Sequence, residues 1–379
     1  MTHAQPQKKS LWNMNVDLMH GSILKSLLLF MLPILVSNLF QQLYNTVDTM
    51  IVGNVLGDTA LAAIGSCGSI YELLVGFGIG IGNGLAIVAA RSYGAQDEDL
   101  LKRTVTGSIV IGLIASLVIT AAGFLGLRPL LQLLGTDPDI MADSRTYLQI
   151  YFGGAVFLFL YNTLNGIYNA QGDSKTPLIF LMISSLTNIV LDLLFVICFH
   201  MGVAGVAYAT IIAQAASAVL VLYVLTKENA SFGLRWSKLH VDGRTMKEIL
   251  IIGLPASIQQ GLTSFSNVFV QAYINDLGDL SASGWAAYNR IDMFLMVPTT
   301  AIGQASTTFV AQNWGAQQPE RARKGVRTGI LLSLGCMGVC AVGVILLARP
   351  LLSIISPSEA VISFGARFLY IITPFYLVI

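Results

Sequence analysis

The chain has 379 residues, of which 55% are hydrophobic and 11% charged, with a formal net charge of +1 and a mean hydropathy of +0.71. An ordinary soluble domain carries roughly 25% charged residues, so this composition excludes that class and indicates a protein that lies within a lipid bilayer. The small net charge excludes the basic surface of a nucleic-acid-binding protein, so we expect the bilayer as a partner and no nucleic acid.

Ten apolar stretches are long enough to cross a bilayer as helices, which takes about 20 residues. In chain order the predicted spans cover residues 26–52, 60–90, 105–127, 145–169, 177–199, 203–225, 247–272, 281–312, 326–347 and 361 to the end. The pattern predicts an all-α polytopic membrane protein.

The basic residues orient these spans. The amino terminus and alternate loops hold sixteen of the 21 Lys and Arg residues, whereas four lie at the opposite loops and Arg290 lies within a span. Because cytoplasmic loops carry the excess of Lys and Arg, we expect a cytoplasmic amino terminus in a multi-pass protein of a bacterial-type inner membrane.

The second half of the chain repeats the first at a separation of 221 or 222 residues. The matching residues are Pro33 with Pro255, Asn45 with Asn267, Leu56-Gly57-Asp58 with Leu277-Gly278-Asp279, and Gly94-Ala95 with Gly315-Ala316. Such an ordered series indicates an internal duplication. Because six spans precede the second copy, both copies enter the membrane in the same orientation, as parallel repeats.

This repeat divides the chain into an amino-terminal lobe at 1–226, a basic cytoplasmic linker at 227–246 and a carboxy-terminal lobe at 247–379. The second lobe has spans 7 to 10 only, so we expect a lobe truncated after about helix 10. We also expect a chain that ends at Ile379 not to transport by itself, because surfaces meant for helix packing would be uncovered.

Polar residues within the spans are the candidates for chemistry, because a charge inside a bilayer is costly and usually faces a protein interior or a watery cavity. Asp48 lies in span 1. Asn188 and Asp192 lie one turn apart in span 5 and therefore share a face of that helix. With Thr210 in span 6 they offer oxygen atoms suited to a proton or a hard monovalent cation. The alternative is hydrogen bonding for helix packing, and spacing alone does not establish that these residues meet.

Weaker candidates are predicted to line a substrate cavity between the lobes. They are the acidic Glu72 and Asp292 and the aromatic Tyr44, Tyr161, Phe265 and Tyr288. Aromatic faces attract cations, so this set favours an amphipathic, aromatic cation as cargo. Local pairing, packing or contact with lipid is the alternative for each of them.

Prolines and glycines within the spans concern helix geometry. Pro33, Pro255 and Pro298 each remove a backbone hydrogen bond and are candidate hinges, or else static kinks. Three glycines between Gly76 and Gly84 recur every four residues without the spacing of a dinucleotide-binding loop, which predicts close helix packing.

The sequence resembles the MATE family, the multidrug and toxic compound extrusion transporters, and more loosely its DinF-like branch. The motifs that carry the resemblance are Leu32-Pro33 followed by Val47-Asp48-Thr49, Arg91-Ser92-Tyr93-Gly94-Ala95 with its echo Gln312-Asn313-Trp314-Gly315-Ala316, and Gln171-Gly172-Asp173-Ser174-Lys175-Thr176-Pro177. The resemblance implies twelve helices in two six-helix lobes and the exchange of drugs for protons or sodium without a cofactor.

The resemblance also implies a cation site in the amino-terminal lobe, which falls here on Asp48, Asn188, Asp192 and Thr210. Some relatives bind sodium in the second lobe through a glutamate in span 7, and this chain has Thr263 at about that position. Coupling through the first lobe, by protons rather than sodium, therefore fits better. No other metal is expected.

Two other classes of protein compete with a multidrug exporter. A lipid-linked oligosaccharide flippase has a similar architecture, but its anionic cargo suits a cationic cavity, and the charges within the spans are mostly acidic. An intramembrane enzyme needs metal or nucleophile motifs that the sequence lacks. We therefore predict a non-enzymatic, monomeric antiporter that exports cationic drugs or toxic metabolites by alternating access, with the flippase as the alternative.

Overall fold

A computed structural model describes residues 15–133, 136–227 and 241–378, so most of the predicted linker lies outside the described residues. The α-helices of the described part are α1 (Ile23–Ile51), α2 (Asp58–Gly94), α3 (Glu98–Leu133), α4 (Met141–Gly153), α5 (Ala155–Ala170), α6 (Lys175–Leu193), α7 (Gly202–Lys227), α8 (Gly243–Asp276), α9 (Asp279–Gly315), α10 (Pro319–Leu346), α11 (Ala348–Ile355) and α12 (Glu359–Ile372). No strand occurs in this part of the chain, and the prediction of an all-α protein is confirmed.

Each predicted span corresponds to helix, with one correction. Span 4 was predicted as one continuous helix, but it consists of α4 and α5, which are bent by 48°. The break falls at the glycine pair Gly153 and Gly154, where the missing side chains leave the backbone free to turn. The short helix α11 was not predicted, and an ion pair between Arg349 and Glu359 joins it to the start of α12.

Within the described residues, seven helices are long and apolar enough to cross a membrane, or eight if the α4–α5 pair forms one span. Helices α8 and α9 have 34 and 37 residues but fall outside this set. They are long enough to cross a bilayer and less apolar, as expected for helices that face the protein interior or a polar cleft.

The sequence repeat is also a structural repeat. Helices α2 and α9 have 37 residues each, and their first and last residues are separated by the same 221 positions that relate the two halves of the sequence. Gly57 and Gly278 precede them with φ of 83° and 95°, a conformation that glycine adopts without strain. Gln96 and Gln317 follow them with φ of 54° and 55°. The duplication therefore extends to the turns at both ends of the helix.

The two halves of the chain meet through a few helices. In the first half, α1 packs against α6, and α7 packs against α4, α5 and α6. In the second half, α9 packs against α10, α11 and α12. Helix α2 contacts both α8 and α9, and α1 contacts α9, so these contacts form the seam between the halves.

Glycines on α2 allow this seam to close. A Cβ atom on Gly84 would overlap the backbone of Gly253 on α8, and one on Gly80 would overlap the backbone of Ser257. A Cβ on Gly76 would lie 2.9 Å from Cγ of Gln260. The interpretation of this glycine series as a helix-packing surface is confirmed.

We predict that Gly84→Ala destabilises the protein, because the added methyl group must push apart two backbones in contact. Overpacking of this kind costs about 1 to 3 kcal/mol. The control is Gly68→Ala on the same helix, where a Cβ would have nothing within 4 Å. Thermal unfolding in detergent should show a lower midpoint for Gly84→Ala alone, and equal midpoints for the two variants would contradict the packing account.

Candidate functional site

Two carboxyl groups with buried oxygen atoms meet where α1 packs against α6. Asp48 on α1 and Asp192 on α6 lie within hydrogen-bonding reach of each other. Asp192 is fully buried, and its helical neighbour Asn188 is 1% exposed. Thr210 on α7, 4% exposed, completes the group. The structure thus brings together all four residues that were predicted for the coupling site.

Asn188 connects the members of this group. In the amide orientation that satisfies its neighbours, Nδ2 donates to Oη of Tyr44 at 3.1 Å and to Oδ2 of Asp192 at 3.0 Å. The amide oxygen then accepts from Oγ1 of Thr210 at 3.3 Å and from its backbone N at 3.1 Å. The orientation is assigned from the hydrogen-bond network. Tyr44, predicted for a substrate cavity, therefore belongs to the carboxylate group.

Three further tyrosines surround the carboxyl pair and were not predicted. The rings of Tyr147 and Tyr151, one turn apart on α4, have centroids 4.7 Å apart, and Tyr71 on α2 meets Tyr151 edge-on at 5.0 Å. All three interact electrostatically with Asp48. The four-residue spacing of Tyr147 and Tyr151 was the available signal, but it does not reveal which helix they face.

The carboxyl pair has no basic partner among the described residues, because the ion pairs found there all lie elsewhere. Oδ1 of Asp48 and Oδ1 of Asp192 are buried and accept no hydrogen bond from described residues. Two ionised carboxylates this close repel each other, and their burial without compensation is costly. Chemically, the arrangement is able to hold a shared proton or one small monovalent cation.

The other predicted cavity residues do not form one surface with this group. Glu72 is exposed on α2, Tyr161 on α5 lies beside Asn165, and Phe265 on α8 is 53% exposed. Phe265 packs edge-on against Phe269 with centroids 4.9 Å apart. The predicted list therefore divides among separate places in the fold, because residue type alone does not determine the direction of a side chain.

Tyr288 and Asp292 form a second polar group in the other half of the chain. Oη of Tyr376, from the turn after α12, donates to Oδ1 of Asp292 at 2.5 Å and lies 2.5 Å from Oη of Tyr288. Tyr288 is 2% exposed and its ring packs against Trp285 and Phe368. Asp292 thus has tyrosine partners, and the four-residue spacing from Tyr288 was the missed signal.

The remaining candidates concern helix geometry. Oγ1 of Thr263 donates to the carbonyl of Gln259 within α8 at 3.0 Å, so its hydroxyl serves its own helix. Pro33, Pro255 and Pro298 lie inside the continuous helices α1, α8 and α9. Their role as hinges stays a prediction. No cluster of three or more His, Cys, Asp or Glu suited to a metal ion occurs in the described residues.

Comparison with known proteins identifies the family to which this chain is similar. The MatE family profile matches residues 33–194 and 255–379. The probable multidrug resistance protein YoeA of Bacillus subtilis is 30% identical over 359 residues, covering 92% of this chain and 77% of the relative. YpnP, another probable multidrug resistance protein of that organism, is 31% identical over 365 residues, covering 95% and 80%.

The fold has close counterparts among solved structures. An outward-facing MATE family transporter of the MOP superfamily superposes with a TM-score of 0.88 at 23% identity, covering 97% of this chain and 82% of that one. This likeness concerns the fold alone. The DinF-like branch stays a prediction. On the family match and the two Bacillus relatives, the chain belongs to the MATE family and is a transporter rather than an enzyme.

Proposed function

We propose that this protein is a secondary active multidrug exporter that moves amphipathic cations out of the cell in exchange for protons, by alternating access. The observation that carries the proposal is the buried pair Asp48 and Asp192, which joins α1 to α6 and has no basic partner among the described residues. The names of YoeA and YpnP, both probable multidrug resistance proteins, support export of drugs.

The carboxyl pair supplies the coupling because its charge depends on what it binds. Without a proton the pair carries two buried negative charges that attract a cation from the cleft, and one shared proton removes one of these charges and so weakens the hold on that cation. A ligand shifts a conformational equilibrium only if it binds one state better than the other. Neutralising a buried charge provides such a difference between the two states of the transporter.

A proton suits the described donors better than sodium does. Asn188 directs its amide N–H groups to Tyr44 and Asp192, whereas sodium needs oxygen lone pairs around it. Asp48 and Asp192 sharing one proton need no additional ligands. We therefore propose protons as the coupling ion, with sodium as the alternative that the experiments below distinguish.

The packing of the two halves supports an outward-open state. The seam residues Gly76, Gly80 and Gly84 contact the part of α8 between Gly253 and Gln260. Buried residues recur along α8 as far as Ser264, whereas the described side chains from Phe265 to Tyr273 are all exposed. The halves are therefore in contact along the amino-terminal part of α8 and separate along its carboxy-terminal part. That part lies on the extracellular side if the amino terminus of the chain is cytoplasmic.

The first test replaces Asp48 by Asn, which removes one ionisable group at almost constant volume. We expect the variant to be expressed and to retain some cargo binding, while its export no longer responds to an imposed pH gradient. Efflux of a fluorescent cation from vesicles, with pH and sodium gradients imposed separately, measures this dependence. Asp143→Asn, an exposed residue on α4, is the control.

An unchanged response of Asp48→Asn to the pH gradient would make Asp48 structural and place the coupling site elsewhere. A wild-type protein that responds to a sodium gradient and not to a pH gradient would replace the proton by sodium in the same site. Either result is distinguishable from failed assembly by checking the amount of folded variant in the membrane.

A second test concerns the hydrogen bonds that position Asn188. Thr210→Val keeps the shape of the side chain and removes the hydroxyl that contacts the Asn188 amide. One hydrogen bond contributes about 1 kcal/mol, so we expect gradient-driven efflux to fall by roughly fivefold. Thr187→Val, adjacent to Asn188 but with its hydroxyl bonded to the carbonyl of Ile183 in its own helix, should leave efflux unchanged. Equal rates for both variants would show that Thr210 does not position the amide.

A third test addresses the charge of the cargo. An acidic site surrounded by aromatic rings favours cations over anions of the same size. Cells producing the protein should exclude a cationic dye more strongly than an anionic dye of similar size and hydrophobicity. Equal exclusion of the two would contradict the proposed preference, and stronger exclusion of the anionic dye would favour the flippase alternative.

A further inference from the structure

The segment before α1, residues 15–22, lies across the face where the two halves of the chain meet, and we call it the strap. Its first contact is with the first half. The backbone N of Val16 donates to the carbonyl of Gly172, in the turn between α5 and α6, at 2.9 Å. Gly172 has φ of +84°, and a Cβ there would lie 2.6 Å from the Val16 carbonyl. This turn therefore fits the strap only with glycine.

The strap also contacts the second half, through its backbone carbonyl groups. Nδ2 of Asn313 on α9 donates to the carbonyl of Leu18 at 3.0 Å. Arg321 on α10 donates to the carbonyls of Gly21, His20 and Leu18 at 2.8, 3.0 and 3.2 Å. One guanidinium group thus binds three carbonyl groups within four residues of the strap, which uses the forked geometry that lysine lacks.

The strap has a defined conformation that presents these carbonyl groups. Oδ1 of Asp17 accepts hydrogen bonds from the backbone N of Met19 at 2.9 Å and of His20 at 3.1 Å, which closes a tight turn. The Leu18 side chain is 1% exposed and packs in one core with Phe30 of α1 and Phe309 of α9. The strap is therefore part of the seam.

Attachment to the two halves is unequal. The strap continues directly into α1, and Oγ of Ser26 on α1 donates back to the carbonyl of Asp17 at 2.9 Å. Its hydrogen bonds with the second half are made by the side chains of Asn313 and Arg321. When the halves separate on this face, the strap is expected to stay with the first half and to lose the bonds made by those two residues.

We propose that the strap is a latch for alternating access: Asn313 and Arg321 hold it in the closed state of this face, and their release accompanies opening. Bonds that exist in one state only stabilise that state, so removing them shifts the population toward the other. Two neighbouring contacts between the halves also stabilise the closed state. Nε2 of Gln312 donates to the carbonyl of Ala170 at 2.7 Å, and Arg91 pairs with Glu248 at 2.5 Å.

The latch rests on the proposed alternating access, but its test reads conformation and not transport. Spin labels on cysteines replacing Asp99 and Lys324, both exposed and on opposite halves, report the separation of the halves on this face. The native cysteines are replaced first. Electron–electron double resonance on the purified protein then gives the populations of short and long distances without cargo or a gradient.

We expect Arg321→Ala to raise the long-distance population relative to the short-distance population by at least about tenfold, a change of ~1.4 kcal/mol in the equilibrium. Arg321→Lys keeps a cation near the Phe309 ring, which lies 5.3 Å from the guanidinium carbon, but loses the fork. Its population should resemble that of Arg321→Ala. Arg323→Ala, at an exposed residue paired with Glu320, should match the wild type.

The results separate the latch from the proposed function. Distance distributions for Arg321→Ala and Arg321→Lys equal to that of the wild type, in folded protein, would overturn the latch and leave the exporter proposal intact. The latch would also be overturned if Arg321→Lys had the wild-type distance distribution while Arg321→Ala had a larger long-distance population. The charge of the side chain, rather than its three bonds to carbonyl groups, would then hold the strap. Opening as predicted in a protein that exports no cation would support the latch and reject the exporter.

Discussion

The cost of holding two carboxyl groups inside a bilayer is the constraint around which the first half of this protein is arranged. Asp48 and Asp192 are on different helices, and no basic side chain of the described residues compensates them. Asn188 gives one of them a donor, and Thr210 and Tyr44 fix the direction of its amide. These hydrogen bonds join α1, α6 and α7 at the pair. Under the proposed function, a proton on the pair changes its electrostatic energy and thereby the preferred arrangement of these helices.

The structural repeat shows that the two halves have different polar residues at equivalent positions. At the repeat separation of 222 residues, Asp48 corresponds to Val270 on α8, so the second half has no carboxyl group at the equivalent place. At 221 residues, Asp292 corresponds to Tyr71, one of the tyrosines that surround the pair in the first half. The two halves thus share a scaffold and differ in polar side chains, which supports the proposal that coupling lies in the first half.

The sequence predicts those features that depend on local pattern. Apolar length predicts the helices, the series from Pro33 to Gly94 predicts the repeat, and the cost of buried charge selects Asp48 and Asp192. It does not predict that these two meet, because α1 and α6 are about 140 residues apart in the chain and their contact depends on the packing of the whole lobe. The bend at Gly154 escaped prediction because flanking apolar residues continue across it.

Contacts that involve backbone atoms are the hardest to predict from the sequence. The strap is held largely through the carbonyl groups of Leu18, His20 and Gly21, and every residue type has such a group. The sequence alone therefore does not distinguish Arg321 from the other basic residues that are predicted to be cytoplasmic. Tyr376 was not predicted as a site residue for a related reason, since its partner Asp292 lies 84 residues away. In both cases the chemistry is ordinary and the position is set by tertiary packing.

The central claim is that the buried pair exchanges a proton when cargo binds. The most direct measurement is the number of protons released when a saturating cationic cargo is added to the purified protein in weakly buffered detergent solution, followed with a pH indicator. By thermodynamic linkage the account predicts release of about one proton per bound cation in the wild type and none in Asp48→Asn. Cargo binding to the wild type without proton release, or equal release by the variant, would contradict it.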